Sequence, residues 1–140
     1  MKKFGHPASL IRDYDNWCVL LRPAQATLGA VVLVCKDEAE AFGDIPAAGF
    51  VELATVIADI ETGLKAFRSF DRINYLMLMM VDKQVHFHVL PRYGAPQSFA
   101  GVTIEDAGWP AVPDLSKAAA LGETQMAELL EELKSVWPRG

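Results

Sequence analysis

Residues 74–92 read NYLMLMMVDKQVHFHVLPR, two apolar runs separated by a short polar break. The runs at residues 74–81 and 84–90 are rich in the side chains that favour β-strands, and Pro91 ends the second run. The break, Asp82-Lys83, is too short for a crossover connection, which needs roughly a dozen residues or more. We therefore predict two antiparallel strands joined by a tight hairpin.

The rest of the chain supplies two more strands and two helices. Apolar runs predict strands at residues 16–21 and 30–35. Helical spacing of apolar residues predicts a long helix that begins near Asp44 and Pro46, and a second one over residues 123–137. The stripe of the first helix consists of Phe50, Leu53, Ile57, Ile60, Leu64 and Phe67, and that of the second of Met126, Leu129, Leu130, Leu133 and Trp137.

This order of elements predicts a single α+β domain over residues 1–140. We expect a mainly antiparallel sheet of about five strands, an ordinary size for a sheet, with the long helix on one face and the C-terminal helix packed back on the same domain. The core lies at about residues 15–95, and residues 96–140 form a C-terminal loop and helix. Residues 92–116, rich in Gly and Pro, are expected to be ordered loop.

Composition narrows the class of protein. A chain of 140 residues with 51% apolar side chains can enclose one core without disulfides or a structural metal. The net charge of -5 argues against binding long nucleic acid. Cys18 and Cys35 lie in apolar runs, which favours free thiols in a reducing compartment. With no apolar segment behind Lys2 and Lys3 and no run long enough to cross a bilayer, we expect a soluble cytoplasmic protein without a membrane partner.

The hairpin also carries the candidate chemistry. Side chains alternate along a strand, so Gln84, His86 and His88 share one face, and the intervening apolar residues point to the core. A helix on one face would leave the opposite face free for these imidazoles to titrate, attack phosphorus or bind a metal. Two alternatives stay open at this point. The histidines can be half-buried structural residues, or they can share a zinc ion, although only Asp82 lies near enough to act as a further ligand.

The sequence Gln84-Val85-His86-Phe87-His88-Val89-Leu90, followed by Pro91-Arg92, resembles the signature of the histidine triad (HIT) superfamily. That signature is His-φ-His-φ-His-φ-φ, where φ is apolar, and Gln84 here replaces the first histidine. The resemblance extends more loosely over about residues 15–95, and it is to a bacterial-type HIT-like domain similar to the diadenosine polyphosphate hydrolases. It implies a hydrolase or nucleotidyl transferase that acts at the α-phosphate of a small nucleotide, such as a dinucleoside polyphosphate or a nucleoside phosphoramidate.

The resemblance also implies roles for particular residues. His86 would attack phosphorus and form a nucleotidyl-histidine, which water then hydrolyses. His88 would donate to a phosphoryl oxygen or assist the leaving group, and Gln84 would support the site. Residues expected to contact the substrate are Lys83, Arg22, Arg92 and Asp82. No metal or other cofactor is expected, apart from Mg²⁺ arriving with the nucleotide, and a homodimer is implied.

Two departures from the family pattern leave alternatives open. Gln84 cannot carry a positive charge, and the Gly-rich loop that many HIT hydrolases have before the motif is missing between Val81 and Gln84. The chain can therefore be a catalytically weak or inactive nucleotide-binding module of the same fold. The second alternative is a metal-binding or structural domain that uses the His86–His88 pair.

Overall fold

The computed structural model describes residues 4–139. Its strands and helices are β1 (Leu10–Asp13), β2 (Trp17–Leu21), β3 (Val31–Cys35), α1 (Ala47–Phe67), β4 (Arg72–Leu76), β5 (His86–Arg92), β6 (Gln97–Phe99), β7 (Val102–Ile104) and α2 (Glu123–Val136). The predicted α+β class is confirmed: β1 to β5 form an antiparallel sheet in the order β1-β2-β3-β5-β4. Strand β1 was not predicted, because its sequence LIRD is short and half charged.

The predicted pairing of the two central strands is confirmed, but the prediction of a tight turn between them was wrong. Strands β4 and β5 are antiparallel neighbours, with Leu76 opposite His88. However, residues 77–85 form the connection, not Asp82-Lys83 alone. Met79 has φ 54°, a left-handed conformation that interrupts the strand. The Asp82 carboxylate accepts a hydrogen bond from the Gln84 N–H at 2.9 Å, which closes the loop before β5 begins.

Both helices pack on one face of the sheet. The buried side chains of α1 include Val56, Ile60, Leu64 and Phe67, while Phe50, predicted to be in the stripe, is 42% exposed and stacks on a neighbouring aromatic ring. As predicted, α2 packs back on the domain. A Cβ atom placed on Gly63 of α1 would lie 2.6 Å from the Trp137 ring, which explains how the two helices approach so closely.

The opposite face, expected to be free, is partly covered. Alternation along β2 and β3 places Cys18, Leu20, Val32 and Val34 here, and the Phe4 side chain packs over them. Further along the same face, Leu115 packs against Leu90, so the long segment after β5 lies across the sheet. That segment is ordered as predicted, but it also contains the short hairpin β6–β7.

Cys18 and Cys35 are buried and form no disulfide, as predicted. Burial raises the pKa of the Cys18 thiol to about 11, which keeps it protonated and unreactive near neutral pH. In the part of the chain that the structure describes, neither helix has the length and apolar character needed to cross a membrane.

Candidate functional site

A cavity of about 330 Å³ lies at the start of β5, on the face of the sheet opposite the helices. Its polar lining consists of Arg22, Asp82, His86 and His88. Its apolar lining includes Phe4 and three side chains of the loop at residues 77–85, namely Leu78, Met80 and Val81. The volume is at the lower end of the range of about 300–1,000 Å³ seen for small-molecule sites.

Strand pairing places both histidines on the lining of this cavity. His86 lies opposite Val34 of β3, and His88 lies opposite Val32, so the two imidazoles share a face as predicted. Their ring centroids are 5.2 Å apart, and the rings are nearly perpendicular at 87°. His86 is only 4% exposed, yet it lines the cavity together with polar groups and is not enclosed by hydrocarbon alone.

The protonation of His86 follows from its hydrogen-bond partner. Its Nδ1 atom lies 2.7 Å from the main-chain carbonyl oxygen of Gln84. A carbonyl oxygen only accepts hydrogen bonds, so Nδ1 must carry the proton. In the neutral ring, the lone pair is then on Nε2, which is the arrangement of a nitrogen nucleophile.

His88 has the opposite tautomer. The Arg22 Nε–H donates a hydrogen bond to Nδ1 of His88 at 3.3 Å. Because a guanidinium only donates, Nδ1 of His88 must be the acceptor, and the proton of the neutral ring is on Nε2. The cavity therefore combines an acceptor Nε2 on His86 with a donor Nε2–H on His88.

Arg22 brings the positive charge to this cavity. It follows directly after β2 and its Nη1 donates to the Ala24 carbonyl oxygen at 2.5 Å, which holds the half-buried side chain in place. Burial lowers the pKa of its guanidinium, although arginine stays protonated in proteins. Among the described lining residues Arg22 is the single cation and Asp82 the single carboxylate, so a phosphoryl group bound beside the histidines would have Arg22 as its positive partner.

Phe4 is one of the lining residues that the sequence did not predict. Its ring centroid lies 5.2 Å from that of His86 and 6.2 Å from that of His88, and its own side chain is 7% exposed. The sequence holds no periodic signal that could place this aromatic residue over β5, because the contact joins positions more than eighty apart in the chain. Phe4 limits access to His86 from the side of the N-terminal arm.

Gln84 and Lys83 line a different cavity, beside residues 36–40. Gln84 precedes β5, and its Nε2 donates to the Cys35 carbonyl oxygen at 2.7 Å, so this side chain holds the loop to β3. Its main-chain carbonyl is what contacts His86. The Gln84 side chain and Lys83 were expected to lie with the histidines, but they line this separate cavity instead.

Arg92 is also separate from the histidine cavity. Its Nε and Nη2 donate to the Asp106 carboxylate at 2.6 and 2.9 Å, and its Nη1 donates to Asn74 Oδ1 at 2.7 Å. The side chains of Arg92 and Asp106 are 4% and 1% exposed. Arg92 was expected to contact the substrate; its guanidinium lies away from the histidines and forms an internal ion pair that anchors the segment after β7.

A metal site at the histidine pair gains no support. Within residues 4–139, no three or more His, Cys, Asp and Glu side chains are grouped so that they could hold a metal ion. The Arg22 guanidinium, bonded to His88, would also repel a cation at this position.

Comparison with known proteins identifies the fold. No protein-family model matches the sequence, and no curated protein matches it either. Among solved structures, a histidine triad (HIT) protein from Sinorhizobium meliloti is similar with a TM-score of 0.74 at 17% identity, over 96% of this chain and 93% of that one. A histidine triad protein from Bradyrhizobium japonicum has a TM-score of 0.70 at 20% identity, over 92% of both chains.

A third similar structure is a hypothetical histidine triad nucleotide-binding protein from Sulfolobus tokodaii. Its TM-score is 0.69 at 15% identity, over 91% of this chain and 82% of that one. The similarity in each case extends over more than nine-tenths of this chain. The chain therefore has the fold of the histidine triad (HIT) proteins.

Proposed function

We propose that the histidine cavity binds a small nucleotide and that the protein is a nucleotide hydrolase or nucleotidyl transferase acting at the α-phosphate. The observation that carries this proposal is the pair of contacts at the two Nδ1 atoms, one with a carbonyl oxygen and one with a guanidinium, from which opposite tautomers follow. His86 has its lone pair on Nε2, His88 has its proton on Nε2, and Arg22 contacts the same pair. A nucleophile, a hydrogen-bond donor and a cation together are what attack on a phosphoryl group requires. One of the similar structures carries the name of a nucleotide-binding protein.

The first chemical step forms a covalent intermediate. The Nε2 lone pair of His86 attacks the α-phosphorus, a nitrogen–phosphorus bond forms, and the bond from phosphorus to the leaving group breaks with its electron pair going to that group. The imidazole becomes positively charged, and the Nδ1–H···O=C bond to Gln84 stabilises that charge. His88 donates a hydrogen bond, and Arg22 offsets the charge on the phosphoryl oxygens.

The second step restores the enzyme. A water molecule attacks phosphorus, the nitrogen–phosphorus bond breaks, and its electron pair returns to Nε2 of His86. The water's proton is released to solvent, and the product is a nucleoside monophosphate. With an alcohol, amine or phosphate in place of water, the same step is a nucleotidyl transfer. The chemistry is proposed without a resident cofactor, and Mg²⁺ would enter only in complex with a polyphosphate substrate.

A catalytically weak nucleotide-binding module is the second candidate. The observation that favours it is the cover over the nucleophile: Phe4 packs against both histidines, and His86 is 4% exposed. Gln84 adds to this, because its side chain is bonded to β3 and brings no charge to the cavity. In this case the protein would bind a nucleotide and release it unchanged.

Trapping of the intermediate separates these candidates. The protein is mixed briefly with an α-³²P-labelled adenosine polyphosphate and quenched in alkali, in which a phosphoramidate bond survives while acid hydrolyses it. We expect label on His86, lost in His86→Ala and kept in His6→Ala, because His6 lies outside the cavity. Nucleotide binding without label would favour the module. Absence of both label and binding would contradict both candidates.

We also propose that the protein is a homodimer. Strand β4 is at the edge of the sheet, where its main-chain groups are open to another strand. Phe42 and Phe50 form a stacked pair with 48% and 42% exposure, and Val51 beside them is 76% exposed. Apolar exposure of this kind often marks an interface. Sedimentation of the wild type should give twice the mass of one chain, and Phe50→Glu should give a monomer with the same fold.

A cytoplasmic location is part of the proposal. Two buried thiols without a disulfide are typical of proteins in a reducing compartment. Fractionation of source cells should recover the protein with cytoplasmic markers. Recovery in an oxidising or membrane fraction would contradict this placement.

A further inference from the structure

The turn between β2 and β3 contains a polar side chain that the steps above do not use. Gln25 is only 1% exposed, although glutamine is mostly found at protein surfaces. It lies three residues after Arg22 in the chain. The Ala119 N–H donates to the main-chain carbonyl of Gln25 at 3.0 Å, so the long segment before α2 is tied to this turn.

The buried amide of Gln25 binds the two ends of the turn together. Its Nε2 donates to the main-chain carbonyl oxygens of Arg22 at 2.7 Å and Ala30 at 2.8 Å. Its Oε1 accepts a hydrogen bond from the Gly29 N–H at 2.8 Å. Because carbonyl oxygens only accept, the NH₂ group must face them, and the orientation of the amide is therefore defined.

These contacts hold the main chain of Arg22 on both sides of its Cα atom. The Arg22 N–H donates to the Ala30 carbonyl oxygen at 3.0 Å, and the Arg22 carbonyl accepts from Gln25. From this fixed position the Nε–H reaches Nδ1 of His88 at 3.3 Å. That distance is long for a hydrogen bond, so a small displacement of the Arg22 main chain would break the contact.

We infer that Gln25 is a positioning residue of the histidine cavity: it holds Arg22 so that the guanidinium stays on Nδ1 of His88 and the proton of His88 stays on Nε2. The inference rests on the proposed function, in which this Nε2–H donates to the phosphoryl group. Gln25 acts through Arg22 and does not line the cavity itself.

A purely structural role for Gln25 would affect stability and leave His88 unchanged. Thr27 provides a matched control, because it is in the same turn and 2% exposed. Its Oγ1 is buried without a hydrogen-bond partner among the residues that the structure describes. Thr27→Val therefore alters a buried polar side chain of this turn without removing a hydrogen bond.

Nitrogen-15 NMR of the histidine rings tests the inference, because a ring nitrogen that carries a proton resonates far upfield of one that does not. Gln25→Met, similar in length but without a donor, should move the His88 signals toward a mixture of tautomers. His86 should not change, since its partner is the Gln84 carbonyl, and Thr27→Val should give the wild-type spectrum. Loss of stability in Gln25→Met with an unchanged His88 would overturn the inference.

Two further variants complete the NMR test. If Gln25→Met does not fold, Gln25→Asn keeps an amide but draws it back by one methylene, and the same change at His88 is expected. Arg22→Met alone should also release the His88 tautomer. Adding Gln25→Met to Arg22→Met should then change the His88 signals no further, because Gln25 acts through Arg22. A further change in the double variant would overturn the inference.

Turnover gives the functional readout. We expect Gln25→Met to lower kcat/KM for adenosine 5′-phosphoramidate by about 10-fold, since small displacements of active-site groups cost up to about 100-fold. In the Arg22→Met background the further loss should be less than about twofold. If no nucleotide is turned over but His88 responds as expected, the proposed chemistry fails and the positioning role stands. If turnover occurs and neither His88 nor kcat/KM responds to Gln25→Met, the positioning role fails alone.

Discussion

The two faces of one sheet are closed by different means. On one face, α1 and α2 pack over β2, β3 and β5 and form the larger cluster of buried side chains. On the other face, single side chains such as Phe4 and Leu115, from segments outside the sheet and helices, cover separate patches. Cavities of about 330 and 710 Å³ remain between those patches. Regular helices fill a surface continuously, whereas short irregular segments leave room for a ligand.

Two arginines on this second face, the buried Arg92 and the half-buried Arg22, also differ in how fully their side chains are hydrogen-bonded. Arg92 is fully engaged with Asp106 and Asn74. Arg22 contacts a ring nitrogen of His88 and one carbonyl oxygen, and it lines the cavity. We therefore assign Arg92 to stability and Arg22 to ligand binding, and this assignment can be broken by experiment.

Arg92→Met should give the largest loss of stability. It leaves the Asp106 carboxylate buried without its cation, and removing one partner of a buried pair costs about 3–5 kcal/mol. Urea unfolding followed by circular dichroism would measure the change in the free energy of unfolding. The double variant Arg92→Met with Asp106→Leu should recover part of the loss. A loss below about 1 kcal/mol in the single variant would refute the structural role of the pair.

Ile60→Ala should lower the stability of the fold through the helix-covered face without changing the affinity for the nucleotide. Ile60 is completely buried between α1 and the sheet, and such truncations cost about 2–5 kcal/mol. Thr62→Ala on the same helix, where the side chain is exposed, is the matched control and should change stability by less than about 0.5 kcal/mol. At a temperature where the variant is folded, nucleotide affinity should equal that of the wild type. A clear change in affinity would show that the two faces are coupled.

Arg22→Met should lower the activity and leave the stability nearly unchanged, the opposite of what we expect for Arg92→Met. Because Arg22 is half-buried and lies at a cavity, we expect the free energy of unfolding to change by less than about 1 kcal/mol. The catalytic efficiency kcat/KM should fall roughly 10- to 100-fold, since a hydrogen bond to a charged group contributes about 1.5–3 kcal/mol. Arg22→Lys keeps the charge but loses the Nε–H donor to His88, and we expect partial activity. Full activity in Arg22→Met would remove this residue from the site.

Tyr14→Phe should give the smallest effect, confined to alkaline pH. The Tyr14 hydroxyl donates to Asp59 of α1 at 2.8 Å and accepts from the Trp137 indole at 3.2 Å. Burial, with the Asp59 carboxylate, raises the pKa of Tyr14 to about 12, so the folded state favours the neutral phenol. Its contribution to stability is complete below pH 10 and is lost as pH rises through 12. Wild type should therefore lose more stability than the variant between these pH values in urea titrations. Parallel losses would place the alkaline sensitivity elsewhere.

Local sequence patterns predicted the strands, the helices and the pairing of neighbouring strands. Strand alternation placed His86 and His88 on one face because the side-chain period is a property of any extended chain. Helical spacing located α2 and its buried Leu129 and Leu133 for the same reason. The pairing of β4 with β5 followed from their proximity in sequence.

Contacts between distant segments could not be predicted in this way. Residues 77–81 have the composition of a strand, yet the left-handed Met79 and the turn at Asp82 make them a loop that lines the cavity. The stacking of Phe4 on His86 and the pairing of Arg92 with Asp106 depend on where irregular segments cross the sheet. No periodicity encodes those crossings, so neither contact could be predicted from the sequence alone.

The loop before β5 also has a calorimetric consequence. Leu78, Met80 and Val81 line the histidine cavity while being 48%, 84% and 80% exposed, so water wets a substantial apolar area at its rim. A ligand that covers this rim would release that water, and the heat capacity of the system would drop on association. The enthalpy of nucleotide binding should then become steadily more favourable on warming, a signature that a purely ionic site would not show.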